Sequence, residues 1–594
     1  LPAALHDGGY RWTILDDAHF RAAAIPENAL WGAYLTEDEG KPLTVFGTEQ
    51  GLRYRIPFGS VESVIEYLRE HATPEGERIG TMGDDGEKFG SWPTTWDHCW
   101  GDGQWVEKFF TALEKNADWL TTTTPSRWLD ERGPIGRVYL PTSSYAEMGD
   151  WVLPAEESQI FGPMLHAAQD AKSPEARYLR GGFWRNFQVK YTEINDLHKQ
   201  MLRTSAKVAA MPAGPEKLAA EDHLHRGQSN DCYWHGLFGG VYITHMRLAT
   251  FEHLIAAEDI ADATYRRTSA GASLPALLTD LDLDGSDELQ LANAGARLQI
   301  DPAEGGAITS FDLRAPHHAL LAVMRRRPEA YHEKLRAHAA AEEAGTSTTA
   351  TSESGGVASI HDIVSVKEPG LAAKLQYDDY ERRSALLRLY PAGTSGRAIA
   401  EGKARAIAPL AENAWVLTAH DDRSATLTTT QQIASTTIAA TRTIRLSGGR
   451  MDPNLTVETT LSHTGGPALS AVLDEEWNLM LLGGGGNPAA HWTAAGVRTS
   501  HDTPGEAPAG AALSSGSDYL GIAVTTITSP HAAAAWAPIE TISNSEGGFE
   551  RVYQGSSLHL TRTIELLPGT TVTVRTEHAC GLSRDITAEE GLPS

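Results

Sequence analysis

The sequence predicts an α/β part, a helical part and then an all-β part. Residues 1 to about 95 alternate short apolar runs with helical periodicity, the pattern of strands and their crossover helices. From about 97 to 265 apolar and aromatic residues recur at helical spacing. Beyond Asp280 the composition shifts to Thr, Ala, Ser and Gly, with alternating runs set between Gly and Pro turns.

Taken in order, Thr13-Ile14-Leu15 predicts a strand that ends in Asp16-Asp17, and Leu43-Thr44-Val45-Phe46 predicts a second. After Pro57, Val61, Val64, Ile65 and Leu68 fall at i, i+3, i+4 and i+7 and line one helix face. A third strand is expected over Ile79-Gly80-Thr81-Met82, running into Asp84 and Asp85. Helices are expected over Trp105 to Leu113 and Tyr191 to Met211, and strands over Leu427 to Thr430 and Thr571 to Thr576. The run from Gly345 to Gly356 is low in complexity and reads as a mobile loop, and no internal repeat recurs at a fixed period.

At 594 residues the chain exceeds one compact core and suggests about three or four domains of about 150 residues. Apolar residues at 41%, charged at 21%, with 15 Trp and 17 Tyr, describe a folded chain. A formal charge of −27 disfavours a partner that presents rows of phosphates, so nucleic acid is excluded as a ligand. Neither a long apolar stretch nor a large basic patch offers itself to a membrane. Cys99, Cys232 and Cys580 have separations that fit neither a zinc site nor a disulfide framework, and they favour a reducing, cytoplasmic setting. The segment Leu1-Pro2-Ala3-Ala4-Leu5 carries neither the basic start nor the apolar run of a signal peptide; it reads as the middle of a domain and the chain as a fragment.

The densest polar cluster runs from Thr81 to Pro93 and holds Asp84, Asp85, Glu87 and Trp92. Chemistry in alternating folds gathers at the carboxyl ends of strands, which places Asp16, Asp17, Asp84 and Asp85 near one rim. Carboxylates bind sugar hydroxyls, indoles cover the C–H faces of sugar rings, and acetal cleavage needs a carboxyl to protonate the leaving oxygen. An ordinary acidic Asp-Gly turn explains the same residues about equally well. A second cluster runs from Gly227 to Tyr242. If helical, it sets Asp231 and His235 at i and i+4, as in a metal-binding pair, but no third ligand has the right spacing. A rim of hydrogen-bonding and stacking groups, with glycines that admit close backbone approach, is the better reading. Gly483 to Gly486 lacks the Lys-Ser/Thr of a phosphate loop and reads as a β connection, and Gly-x-Ser-x-Gly and His-Glu-x-x-His are absent. His317-His318 and Glu475-Glu476 are expected on solvated turns or strand faces, and Asn454-Leu455-Thr456 matches a glycosylation sequon of the kind that arises by chance.

At Asp84-Asp85-Gly86-Glu87-Lys88-Phe89-Gly90, and from Asn230 to Gly240, the chain resembles family 57 glycoside hydrolases of the 4-α-glucanotransferase and α-amylase branch. Ile14 to Phe20, Tyr34 to Gly40 and Leu52 to Phe58 add to the resemblance, which covers about residues 1 to 265; Arg327 to Leu335 looks like part of the β-sandwich domain that follows the catalytic unit in that branch. The resemblance implies an α/β plus all-β fold. Residues 1–96 would be the remainder of an incomplete (β/α)7 barrel, 97–265 a helical domain closing the cleft, and 275–594 a C-terminal β-sandwich. It implies retaining cleavage or transfer of α-1,4-glucan, with Asp85 as acid/base and the negative charge of Asp84 helping it hold its proton. Asp17, His19, Trp92, Asp231, Trp234 and His235 are the expected substrate-cleft residues. The expected partner is an α-glucan or maltooligosaccharide, no metal or cofactor is expected, and homodimerisation is left open. The family's nucleophilic Glu lies in a motif upstream of the segment matching Leu1-Pro2, so the expectation is a chain without that residue. A non-catalytic glucan-binding protein is the second reading, and a ligand-free structural protein the third.

Overall fold

The structure, a computed structural model, describes residues 1–586 apart from Pro93, 237–238, 269–272, 345–364, Pro409 and 546–547. The low-complexity run from Gly345 to Gly356 lies outside the described residues. Two compact units form. The first holds Leu1–Lys190 with Glu329–Val364, and the second holds Tyr191–Pro328 with Ser365–Ser594.

The first unit is organised by β1 (Trp12–Asp16), β2 (Ala33–Asp38), β3 (Lys41–Thr48) and β4 (Gly136–Arg137), in the order β1-β3-β2-β4. β1 runs parallel to β3, with Asp16 opposite Thr48, and β2 pairs antiparallel with β3. Glu39 and Gly40 both take positive φ in the hairpin, which suits a tight turn between twisted strands. The strand expected over Ile79–Met82 is corrected. It makes one isolated parallel bridge, Thr81 to Thr48, and no ladder. Gly80 brings its backbone so close to Trp31 that an added Cβ would stand 2.6 Å from the ring, and Gly83 follows, so the segment has little side chain to hold a strand.

Between these strands lie α1 (Asp17–Ala22), α2 (Gln50–Arg55) and α3 (Val61–His71). α3 starts where Ser60 accepts the Ser63 N–H at 3.2 Å, and it buries Val61 and Val64. α4 (Trp105–Lys115) buries Trp105, whose indole donates to the Gly59 carbonyl at 2.6 Å and stacks on Phe109. The short α5 (Ala146–Trp151) also belongs here.

The second unit begins with α6 (Thr192–Ala209), α7 (Pro215–Gly227) and α8 (Thr244–Thr268). β5 (Leu277–Thr279), β6 (Glu288–Ala292), β7 (Ala296–Asp301), β8 (Ala307–Leu313) and β9 (His318–Ala319) then form an antiparallel meander. In a second sheet Gly548–Leu566 lies between Leu469–Leu479 and Ala533–Ser545. A third is built from successive hairpins between Val416 and Gly465, and Thr571–Leu582 pairs with Asn454–Gly465. Leu298 and Phe311 from the meander, Trp477 and Leu558 from the second sheet, and Leu455 and Val574 from the third share one apolar core. The all-β reading beyond Asp280 holds because alternation along these long strands sets one face inward; along Thr436–Ser447 buried and half-buried residues alternate almost strictly.

Two expectations fail here. The segment from Arg327 to Leu335 adds no strand; it leads into α9 (His332–Glu343), a helix of the first unit. His317, His318, Glu475 and Glu476 are all buried, not solvated. His318 is held through the Met480 carbonyl at 2.7 Å, and Glu475 accepts from the Trp477 indole and the Thr576 hydroxyl at 2.9 Å each. Glu476 accepts from Arg382 at 2.7 Å, Arg388 at 2.5 Å and the Tyr380 hydroxyl at 2.8 Å.

Burial works to raise the pKa of Glu476, but Arg382 and then Arg388 outweigh it and hold the carboxyl well below the usual range. A carboxylate depressed in this way contributes stability that is present above its unfolded pKa of about 4.3 and is lost as pH falls below it. Glu476→Gln leaves the buried Arg388 without its anion and Arg382 with Asp378 alone, and is expected to cost about 3–5 kcal/mol in urea denaturation at pH 7. The variant's stability should also fall less steeply than the parent's between about pH 4.5 and pH 3.

Candidate active site

Two strand ends, a loop and a helix start build the site in the first unit. β1 ends in Asp16, whose carboxylate accepts the Ala18 N–H at 2.9 Å and so caps α1. α2 follows β3 directly, capped by Glu49, which accepts the Leu52 N–H at 2.7 Å. From α2, Arg53 reaches three carboxylates: Asp84 at 3.4 Å, Glu147 of α5 at 3.6 Å and Asp16 at 3.7 Å.

Asp84 is the buried anchor of this group, its side chain 1% exposed. It forms an ion pair with Lys88, itself 4% exposed, whose ammonium also donates to the Arg53 carbonyl at 3.0 Å. The other Asp84 oxygen accepts the Asp85 backbone N–H at 2.9 Å. With its N–H held inward, Asp85 projects its own carboxyl to the exposed side. Burial raises the pKa of Asp85 first and Asp84 second, with a smaller push from Glu87; Arg53 and Lys88 oppose them, and the net direction is upward.

The chain then turns through Gly86–Phe89, where the Glu87 carbonyl accepts the N–H groups of Gly90, Ser91 and Trp92 at 3.2, 2.8 and 3.1 Å. Gly90 sits at φ +142° with the Trp96 ring 3.0 Å from an added Cβ, so the turn requires glycine. Trp92 stacks on Phe58 at 6.0 Å between ring centres, and the Lys88 ammonium lies 5.3 Å from the Phe58 ring and 5.8 Å from the Trp92 ring. Two further indoles border this turn. Trp96 and Trp100 are 62% and 53% exposed, and Trp100 donates to the Phe89 carbonyl at 2.5 Å.

The structure thus brings Asp85 and Trp92 together around Lys88 and Asp84. Asp17, expected in the substrate cleft, is held by groups of the protein itself. Its carboxylate is buried, bound to Arg21 at 2.6 Å and to the Gln50 N–H at 3.0 Å, and burial pushes its pKa up to about 6. It fixes α1 to α2. His19 is half-buried and bonds the Asp16 carbonyl at 3.1 Å.

Asp231, Trp234 and His235 belong to the second unit. They lie on a short helical turn, Asn230–Cys232, and the loop after it, so Asp231 and His235 do not share a helix face. Asp231 accepts from Ser229 at 2.6 Å, and it and Trp234 are half-buried. His235 is 2% exposed, bonded to the Gly239 carbonyl at 2.5 Å and set edge-on to Tyr191 and Tyr242, which holds it within the loop. Gly240 lies at φ +54° against the Trp234 carbonyl, 2.4 Å from an added Cβ, and only glycine admits that approach. Leu237 and Phe238 of this motif lie outside the described residues.

One cavity of about 50 Å³ lies in the second unit, lined by Asp196, Arg203, Asp282, Arg297 and Arg383 among others. It has room for a few waters and none for a sugar, whose sites run to several hundred Å³. Sequence reasoning missed Arg53, Glu147, Trp96 and Trp100 as parts of the site. The i, i+4 spacing of Trp96 and Trp100 is a visible signal for paired indoles, whereas nothing local marks Arg53 as the residue that joins three acidic segments.

Residues 1–141 match the Glycosyl hydrolase family 57 domain, 182–261 the Alpha-amylase/4-alpha-glucanotransferase middle domain and 280–574 the Alpha-amylase/4-alpha-glucanotransferase C-terminal domain. The chain is 36% identical over 389 residues to alpha-amylase 1 of Dictyoglomus thermophilum, covering 65% of this chain and 53% of that protein. It is 35% identical over 382 residues to a 4-alpha-glucanotransferase of Thermococcus litoralis, covering 64% and 53%. The match thus spans about half the length of these relatives. The crystal structure of 4-alpha-glucanotransferase from Thermococcus litoralis superposes with a TM-score of 0.77 at 24% identity, over 98% of this chain and 79% of that one, a likeness of fold. With these three matches in this order, the chain carries a glycosyl hydrolase family 57 domain followed by the middle and C-terminal domains of the alpha-amylase/4-alpha-glucanotransferase kind.

Proposed function

We propose that this chain belongs to an enzyme that cleaves α-1,4-glucan with retention and passes the glucosyl unit to water or to another sugar. Asp85 is the proton donor to the departing glucosyl oxygen. The observation that carries this reading is a carboxyl directed outward beside a buried, negatively charged Asp84, with its pKa raised by burial and that charge, at a turn bordered by Trp92, Trp96 and Trp100. A general acid must keep its proton at working pH, and indoles suit the faces of glucose rings. The relatives are named alpha-amylase and 4-alpha-glucanotransferase, in keeping with this substrate class. We read the four-stranded sheet as part of the (β/α)7 barrel and residues 275–594 as the β-sandwich. Trp92 and His19 are assigned to sugar binding in the first unit and Asp231 and Trp234 in the second, with Asp17 and His235 as positioning residues. Three buried free thiols support a reducing, cytoplasmic setting. No helix among the described residues is long and apolar enough to cross a membrane.

A second reading rests on the partner that a retaining reaction needs, a carboxylate about 5–5.5 Å from the acid. Three of the acidic side chains around Asp85 are already engaged. Asp84 is ion-paired with Lys88, and Asp16 and Glu147 lie beside Arg53. That arrangement favours a chain which, as given, binds maltooligosaccharides without turning them over. Maltoheptaose incubated with this polypeptide is expected to bind, as followed by tryptophan fluorescence, and to stay intact; release of glucose or shorter oligomers would reject this reading in favour of catalysis by the chain itself.

In an active form of the enzyme, Asp85→Asn is expected to lower kcat by about 10²–10⁴-fold with little change in KM, and an undiminished rate would reject the assignment. Asp84→Asn separates two effects. It should destabilise the protein by about 3–5 kcal/mol in urea denaturation, because Lys88 is left buried without its anion. It should also lower the pKa of Asp85, so that the basic limb of the pH–rate profile moves to lower pH.

A further inference from the structure

The strongest feature outside the glucan site is the hairpin loop between β5 and β6, Asp280-Leu281-Asp282-Leu283-Asp284-Gly285-Ser286-Asp287-Glu288. One carboxylate oxygen from each of Asp280, Asp282, Asp284 and Glu288 can be chosen so that all lie within 4.8 Å of one another. Among the described residues no Lys or Arg forms an ion pair with any of the four. Glu288 supplies the independent sign of a ligand. It is fully buried, and its Oε2 accepts the N–H groups of Leu281 at 2.6 Å and Asp282 at 3.3 Å. Its Oε1 is sealed from solvent without a hydrogen-bond donor. A buried carboxylate oxygen in the company of three aspartates calls for a cation, because an unpaired charge is costly where water is excluded.

We propose that this loop is a calcium site of the second unit. The donors are all oxygens, which selects a hard cation. Four carboxylates in one loop suit Ca²⁺, which takes six to eight oxygen ligands, better than Mg²⁺, which keeps several waters and is held by one or two carboxylates. The backbone is already wrapped for it. Asp280 accepts the N–H groups of Asp284 and Gly285 at 3.1 Å each, Asp284 accepts that of Ser286 at 2.7 Å, and Gly285 turns at φ +100°. The Asp-x-Asp-x-Asp-Gly spacing is that of EF-hand loops, but strands flank it here and the last acid falls at the ninth position, not the twelfth. Asn195 of α6 donates to the Asp282 carbonyl at 2.7 Å and Arg203 of the same helix to that of Leu281, so a bound ion would lock the hairpin to α6.

The test is calorimetric titration of CaCl2 into the full chain after chelator treatment, with thermal melting alongside and MgCl2 as control. Saturable binding with a Kd between about 10⁻⁷ and 10⁻³ M, a Tm raised by several degrees, and affinity reduced at least about tenfold in both Asp284→Asn and Glu288→Gln are expected. Asp284 is exposed, so its variant keeps the test valid if Glu288→Gln fails to fold. Absence of heat and of a Tm shift up to about 10 mM Ca²⁺, or binding that Asp284→Asn leaves unchanged, would overturn the proposal.

Discussion

The ion pair between Asp84 and Lys88 is the constraint on which the candidate site depends. An ammonium 4% exposed is tolerable only with an anion against it, and Asp84 is that anion. The same carboxylate accepts the N–H of Asp85, so the requirement to neutralise Lys88 also sets the direction in which the next side chain leaves the backbone. It further places a negative charge one residue from the carboxyl proposed as the acid, which in that role must stay protonated. Lys88, by lying over Phe58 and Trp92, ties the aromatic wall to the same charge. A single buried pair therefore orients Asp85 and ties the aromatic wall to it, while burial remains the larger cause of its raised pKa.

Arg53 extends this arrangement across the unit. It stands among Asp16 from β1, Asp84 from the loop after α3 and Glu147 from α5, which are far apart in sequence. Its positive charge works against the rise in the pKa of Asp85, so the acid is tuned by a balance between one aspartate on one side and a guanidinium with an ammonium on the other.

The parts that were legible in the sequence are those set by local periodicity. The strand at Thr13–Leu15, the helix of Val61 to Leu68 and the alternation of the long β strands follow from which residues share a face. The cluster around Asp85 was legible because acids, glycines and an indole lie within a dozen residues. The misread positions depend on partners distant in the chain. Glu476 looks like a solvated strand acid until Arg382 and Arg388, 94 and 88 residues away, are brought to it by strand pairing. Asp17 looks like a rim acid until the Gln50 N–H and Arg21 enclose it. Ile79–Met82 has the apolar look of a strand but spends Gly80 on packing against Trp31.

That dependence on distant partners also separates the two kinds of buried acid in the second unit. Arg382 and Arg388 answer Glu476, Arg326 answers Asp378, Arg297 answers Asp312 and Arg314 answers Asp262, each at 2.7 Å or less. In every one of these pairs a planar, permanently charged group replaces the water lost on burial. The β5–β6 hairpin breaks the pattern: Glu288 is as deeply buried as Glu476 yet has three aspartates beside it in place of a guanidinium. Folding that answers burial with a cation at four acids and gathers further acids at a fifth has concentrated negative charge there against its electrostatic cost. A dissolved cation, the occupant proposed above, would compensate that charge, and unlike an arginine it would make the stability of that hairpin depend on the ion concentration around the protein.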